Sequence, residues 1–194
     1  MPRPLPHPTA KMLSHAELVY GPGERGLAAT LLRALGFRVL DPRTDPIPAN
    51  LGPAAAPYLI VYMDPKSDDV FDNVLYCSES CAAQQRFEKV LRERMAKDAE
   101  LAHLHEELRT AFAKVPQGMT HIGVGYPSPQ EVEQALAAVA AEPALAGRVT
   151  VSPVYRPGGP GSLDDRVVQG FVYTDLLSTG LLCAGQQLEL QYRI

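Results

Sequence analysis

Two histidines occupy equivalent places in two similar stretches of this chain. Ser14 to Phe37 reads SHAELVYGPGERGLAATLLRALGF, and Thr120 to Ala141 reads THIGVGYPSPQEVEQALAAVAA. An imidazole can ligate a metal as the neutral ring or carry a proton near neutral pH. What His15 and His121 can do therefore depends on which groups the fold brings to them. Both open a strand. In the second stretch Ile122, Val124 and Tyr126 fall on one face, and His121, Gly123 and Gly125 on the other. In the first, Ala16, Leu18 and Tyr20 form the apolar face, and His15 lies opposite.

Each strand runs through a tight turn into a helix. Ser128-Pro129-Gln130-Glu131 is a strong helix start, with Ser128 as cap, Pro129 at the first helical position and Glu131 closing a capping box. Val132, Leu136 and Val139 form a stripe that packs on the sheet, and Pro143 stops the helix. In the first stretch a Gly-Pro-Gly turn leads into the stripe Leu27, Leu31 and Leu35, and Gly36 sits where a helix ends. The two stretches read as an internal repeat of β-α units. Each histidine should project from the sheet face that its own helix leaves uncovered.

The remaining strands follow in each half. Phe37 to Asp41, Tyr58 to Met63 and Asn73 to Ser78 give β-α-β-β-β. Arg148 to Tyr155, Val167 to Thr174 and Gln187 to Tyr192 give it again. Pro42 to Pro57 reads as a loop, Asp64 to Asp72 as a polar turn region, and Arg156 to Asp165 as a mobile loop. Between the halves, Ser80 to Lys114 contains no Gly or Pro and reads as one long helix or a helical pair. Its apolar residues include Phe87, Leu91, Leu104, Leu108 and Phe112. The expectation is that it packs across the sheet; the alternative is a homodimer contact. His103 and His105 sit two apart on it and so share no helical face.

The expected organisation is an extended arm over 1–12, where alternating prolines forbid helix, and a single domain over 13–194. Within it, 13–79 is the first module, 80–117 the helical insertion and 118–194 the second module. The 194 residues are 46% apolar and 21% charged, which suits a globular chain large enough for a sizeable core. A net charge of −4 argues against a general nucleic-acid binder. No apolar run is long enough to span a membrane, and the start lacks the apolar core of a secretory signal. Three cysteines give no disulfide framework, so a reducing, cytoplasmic setting is expected.

These pieces together resemble the vicinal oxygen chelate superfamily: glyoxalase I, the fosfomycin and bleomycin resistance proteins, and the extradiol dioxygenases. The likeness is carried by SHAELV, LLRALGFRVL, DNVLYCSE, THIGVGYPSPQEVEQAL and the terminal QLELQY. It covers all but the arm and the insertion. It implies an α+β fold of two βαβββ modules forming a curved mixed sheet around a funnel. Metal ligands then come from the first and last strands, which places His15, His121 and Glu189 as ligands of a divalent metal: Fe, Mn, Zn or Ni. Alternation leaves Gln187, Glu189 and Gln191 in the funnel. Two imidazoles and a carboxylate leave positions open for substrate. Tyr76 stands where the first module's carboxylate would be, and Glu79 three residues later lies on the opposite strand face unless a bulge re-aims it. Tyr76 and Glu79 are the candidates for acid–base work. The family's DPDG turn is replaced by DLLSTGLLCAGQ. The implied activity is that of a glyoxalase-like or dioxygenase-like enzyme holding a small substrate through neighbouring oxygens. The alternative is a metal-free protein that sequesters a drug-like molecule in the same funnel.

One motif competes. Gly21-Pro22-Gly23-Glu24-Arg25-Gly26 fits G-x-G-x-x-G between strand and helix, with Asp41 at the end of the next strand, a dinucleotide fingerprint in outline. Pro22 removes a donor from the turn that would cradle pyrophosphate, and three successive strands replace the required β-α-β alternation. The glycines read better as a tight turn. Cys77 and Cys81 belong to different elements and make no zinc site; Cys183 lies in an apolar run. Asp164 and Asp165 read as solvated, and Arg156 is a candidate to meet an anionic substrate.

Overall fold

The computed structural model describes residues 13–46, 58–67, 69, 73–162 and 164–194. The arm over 1–12 and most of the proline-rich loop, from 47 to 57, lie outside the described residues.

The chain runs β1 (His15–Tyr20), α1 (Arg25–Ala34), β2 (Arg38–Leu40), β3 (Leu59–Tyr62) and β4 (Val74–Glu79). It continues through α2 (Ala82–Met95) and α3 (Ala99–Lys114) to β5 (His121–Gly125), α4 (Pro129–Ala141), β6 (Val149–Val151), β7 (Val167–Thr174) and β8 (Gln186–Arg193). The strands form two four-stranded sheets of the same topology, β1-β4-β3-β2 and β5-β8-β7-β6. In each the outer pair β1·β4 or β5·β8 is parallel and the rest antiparallel. Two βαβββ modules are thus present, and the insertion is a helical pair. An isolated antiparallel bridge from Val19 to Ser178 joins the first strand of one module to the last loop of the other.

The helix caps follow from their sequences. The Ser128 hydroxyl accepts the Glu131 amide at 3.2 Å, with Pro129 next to it at the first helical position. Asp98 caps α3 by accepting the Leu101 amide at 3.0 Å. Gly36 takes a φ of +86°, the left-handed conformation that ends α1.

Both helix-facing sheet surfaces contribute to one apolar cluster. Leu31 and Leu32 of α1, Leu35 at its C-terminal cap, and Val132, Leu136 and Val139 of α4 pack with Leu18, Leu75, Val172, Leu188 and Leu190. The strand alternation read from the sequence places Leu18, Leu188 and Leu190 correctly: each is buried among the helix-facing residues. Polar ties cross between the modules at the margin of the core. The Tyr126 hydroxyl donates to the Leu35 carbonyl at 2.7 Å, and Arg148 bridges Glu24 and Asp175 at 2.7 Å each. Burial pushes the Tyr126 phenol up from its ordinary range.

The competing glycine motif has a structural explanation. Arg25 is buried and binds Asp41 through two nitrogens at 3.0 and 2.6 Å, the Tyr20 hydroxyl at 2.8 Å and the Tyr58 carbonyl at 3.0 Å. Asp41 is therefore engaged within the first module, and β2 and β3 lie antiparallel rather than in a doubly wound order.

Among the described residues no helix is long and apolar enough to cross a membrane.

Candidate functional site

On each module the sheet face away from the helix is where chemistry can be placed. In the second module that face carries His121 from β5, Gln187, Glu189 and Gln191 from β8, and Gln169, Phe171 and Tyr173 from β7. Glu189 and Phe171 are cross-strand partners, as are Glu189 and Gly123.

His121 and Glu189 meet: Nε2 lies 3.0 Å from Oε2, with the carboxylate side chain 7% exposed and the imidazole 23%. Nδ1 donates to the Met119 carbonyl at 2.7 Å. Both ring nitrogens are thus engaged with acceptors. The bond to Glu189 needs a second proton, on Nε2 or on the carboxyl. The other Glu189 oxygen accepts from Gln117 Nε2 at 3.4 Å, and the same Gln117 amide donates to Gln169 Oε1 at 3.1 Å. Gln187 Nε2 donates to the Pro116 carbonyl at 2.8 Å. The sheet therefore grips the 3-10 turn Pro116–Gly118 and the residue after it through four side chains, His121, Gln169, Gln187 and Glu189. Gln169 is 1% exposed and its Nε2 has no hydrogen-bond partner among the described residues. A buried amide donor left unpaired costs about 1–3 kcal/mol.

Beside this polar cluster α3 roofs the same face. Phe112 packs on Tyr173 with ring centroids 4.6 Å apart. The His105 ring meets the Cys183 carbonyl at 2.6 Å. Glu88 of α2, 4% exposed, accepts the Leu182 and Cys183 amides at 3.0 Å each. Burial alone would raise the Glu88 carboxyl, but these bonds and one from Gln84 hold it below its ordinary value. Between α3 and the sheet a cavity of about 330 Å³ remains, walled by Phe112, Phe171 and Tyr173 with Arg109, Glu106 and Gln187 among its polar lining. Phe171 belongs to both parts: it walls the cavity and sets its ring against His121 at 6.5 Å.

The first module places its candidates differently. His15 is exposed; its Nδ1 lies 3.0 Å from the Ser14 hydroxyl and its ring stands edge-on to Tyr76 at 5.5 Å. Tyr76 in turn touches Tyr58, and burial first of all pushes its phenol up. The register from His15–Val74 to Tyr20–Glu79 is unbroken, so no bulge re-aims Glu79. Glu79 accepts a long bond from Gln85 at 3.5 Å instead. Of the expected ligands, the structure joins His121 to Glu189 and leaves His15 with Tyr76 on the other sheet. Among the described residues no three His, Cys, Asp or Glu side chains are grouped to hold a metal ion. The donors as placed do not fit a three-ligand centre.

Gln117, Gln169, Phe171, Tyr173 and Arg109 were not singled out by residue type or spacing. The signal for three of them was available: Gln169, Phe171 and Tyr173 alternate along β7 on the face that Glu189 occupies. No family model, curated protein or solved structure matches the chain.

Proposed function

We propose that this chain is a small-molecule-binding protein whose ligand enters the cavity between α3 and the open face of the second sheet, without a metal. The observation that supports it is the cavity itself, an aromatic-walled space of about 330 Å³ that adjoins a buried polar cluster with one unpaired amide donor. Ligand sites are typically concave, mainly apolar and oriented by a few polar groups. His121 and Glu189 shape this site rather than react in it, because both imidazole nitrogens are already bonded. Their joint work is to anchor Met119 and Gln117, and so the turn that leads out of α3.

The enzyme reading, a glyoxalase-like or dioxygenase-like metal centre, has one observation in its favour: His121 and Glu189 are neighbours on the face that the resemblance implies. It requires His15 or another donor to join them. Tyr76 and Glu79 would then need to reach the same centre from the first sheet.

The test is ligand-observed NMR with aromatic fragments on protein dialysed against EDTA, in the native chain and in Thr150→Trp. Thr150 lines the cavity from the exposed edge strand β6, so the indole blocks the cavity without disturbing the core. Fragments should bind the EDTA-treated chain and lose about tenfold or more in affinity in T150W. Binding that appears only after a divalent metal is restored, or that T150W leaves unchanged, contradicts the proposal.

A further inference from the structure

We infer that the cavity takes an aromatic zwitterion, a molecule of one or two rings that carries both a carboxylate and an ammonium group. The inference rests on the binding reading above and adds the class of ligand.

The apolar part of the argument is the wall. Phe112 and Tyr173 are tilted against each other at 4.6 Å, and Phe171 is held by Tyr155 at 6.1 Å and by His121 at 6.5 Å. Aromatic walls of this kind favour a ring in edge or offset contact. A volume of about 330 Å³ lies at the small end of the range for ligand sites, which runs from about 300 to 1,000 Å³. One or two rings fill it.

The charged part is supplied by α3. Glu106 and Arg109 both line the cavity, three positions apart and so on one helical face. A pair of opposite charges at this spacing gains about 0.2–0.5 kcal/mol. Neither takes part in an ion pair among the described residues. The Arg109 guanidinium lies 6.0 Å from the Tyr173 ring centroid. It works against burial, which raises the Tyr173 phenol. Glu106 is exposed at the mouth and Arg109 half-buried. A simple aromatic acid would satisfy Arg109 but set its carboxylate near Glu106. An aromatic amine would do the reverse. A zwitterion meets both charges while its ring occupies the aromatic walls.

The experiment is isothermal titration of the full chain, after EDTA treatment, with L-phenylalanine, 3-phenylpropionate and 2-phenylethylamine. Phenylalanine should bind about tenfold more tightly than either singly charged analogue. Arg109→Gln should bring phenylalanine down to the affinity of phenylethylamine, and Glu106→Gln to that of phenylpropionate. Both positions are on the helix surface, and circular dichroism confirms that the variants are folded. If either analogue matches phenylalanine in the native chain, the zwitterion is the wrong class and the cavity reading stands. If none of the three binds while fragments still bind in a T150W-sensitive way, the class is again overturned alone. If nothing binds, both inferences fall.

Discussion

The two modules share strand order, parallel first-and-last pairing and a helix on one face, yet the faces turned away from those helices differ in kind. On the first sheet Ile60, Tyr62 and Val74 are at most 1% exposed on that face and pack with Leu40, Tyr58 and Tyr76. On the second, the corresponding surface carries His121, Glu189, Gln169 and Gln187, bonded to one another and to the turn after α3. The helix-facing sides are nearly interchangeable because both must supply the same shared core. The sides turned away from the helices are free to diverge: among the described residues the second carries the bonded His121–Glu189–Gln117 cluster and the cavity, while on the first Arg38 stacks over Tyr62 at 3.9 Å.

Four measurements break or sharpen this contrast. The largest effect should be symmetric. Leu32→Ala in α1 and Leu136→Ala in α4 each remove a buried side chain from the common cluster and should each cost about 2–5 kcal/mol in urea unfolding. If the core is shared, each variant lowers a single transition for the whole chain; two separated transitions would show that the modules unfold independently.

The next effect should be asymmetric. His121→Ala leaves the buried Glu189 carboxylate with a single long bond from Gln117 and should cost about 2–3 kcal/mol at neutral pH. His15→Ala removes an exposed ring and should change stability by less than about 0.5 kcal/mol. Equal losses from the two would erase the distinction drawn between the faces.

A smaller, pH-dependent effect belongs to the first module. The hydrogen-bonded Arg25 guanidinium holds the Asp41 carboxyl below its ordinary value. A depressed carboxyl contributes stability above the unfolded-state value, and that contribution is lost as pH falls through the folded-state value. Asp41→Asn should therefore cost about 1 kcal/mol at pH 7, the pair being partly screened, and the cost should vanish in strong acid. An unchanged difference across an acid titration would argue that Arg25 is held by Tyr20 and Tyr58 alone. Smallest of all, Gln169→Leu deletes the unpaired buried donor, and the exposed Gln117 can turn to water. Its stability should stay within about 0.5 kcal/mol of the native chain or rise. A loss of 2 kcal/mol or more, on the order of a full buried-donor penalty, would mean that Gln169 already has a partner.

Much of the fold was legible because it depends on local signals. The period-two alternation of Ile122 and Val124 and of Leu188 and Leu190 set the helix-facing sides, and Ser128-Pro129 and Gly36 marked helix ends. The same alternation put Glu189 on the face of His121, and the two do meet. Which sheet faces which, by contrast, has no periodic signature. His15 lies on the expected face of its own sheet, but its companion there is Tyr76. Where the helical pair α2 and α3 docks was equally hidden. It depends on contacts between residues far apart in sequence: Phe112 with Tyr173, His105 with the Cys183 carbonyl, and Glu88 with two backbone amides of the loop before β8. Those contacts create the cavity, so Arg109 and Glu106 gain their place only once the helix is seated.

The most direct test of the account is chemical-shift mapping. EDTA-treated, isotope-labelled protein is titrated with an aromatic fragment that binds, and the perturbed amides are assigned. Perturbations should gather at Arg109, Phe112, Phe171 and Tyr173 while Ile60, Val74 and Tyr76 stay still. Shifts concentrated on the first sheet, or none until a divalent metal is added, would contradict it.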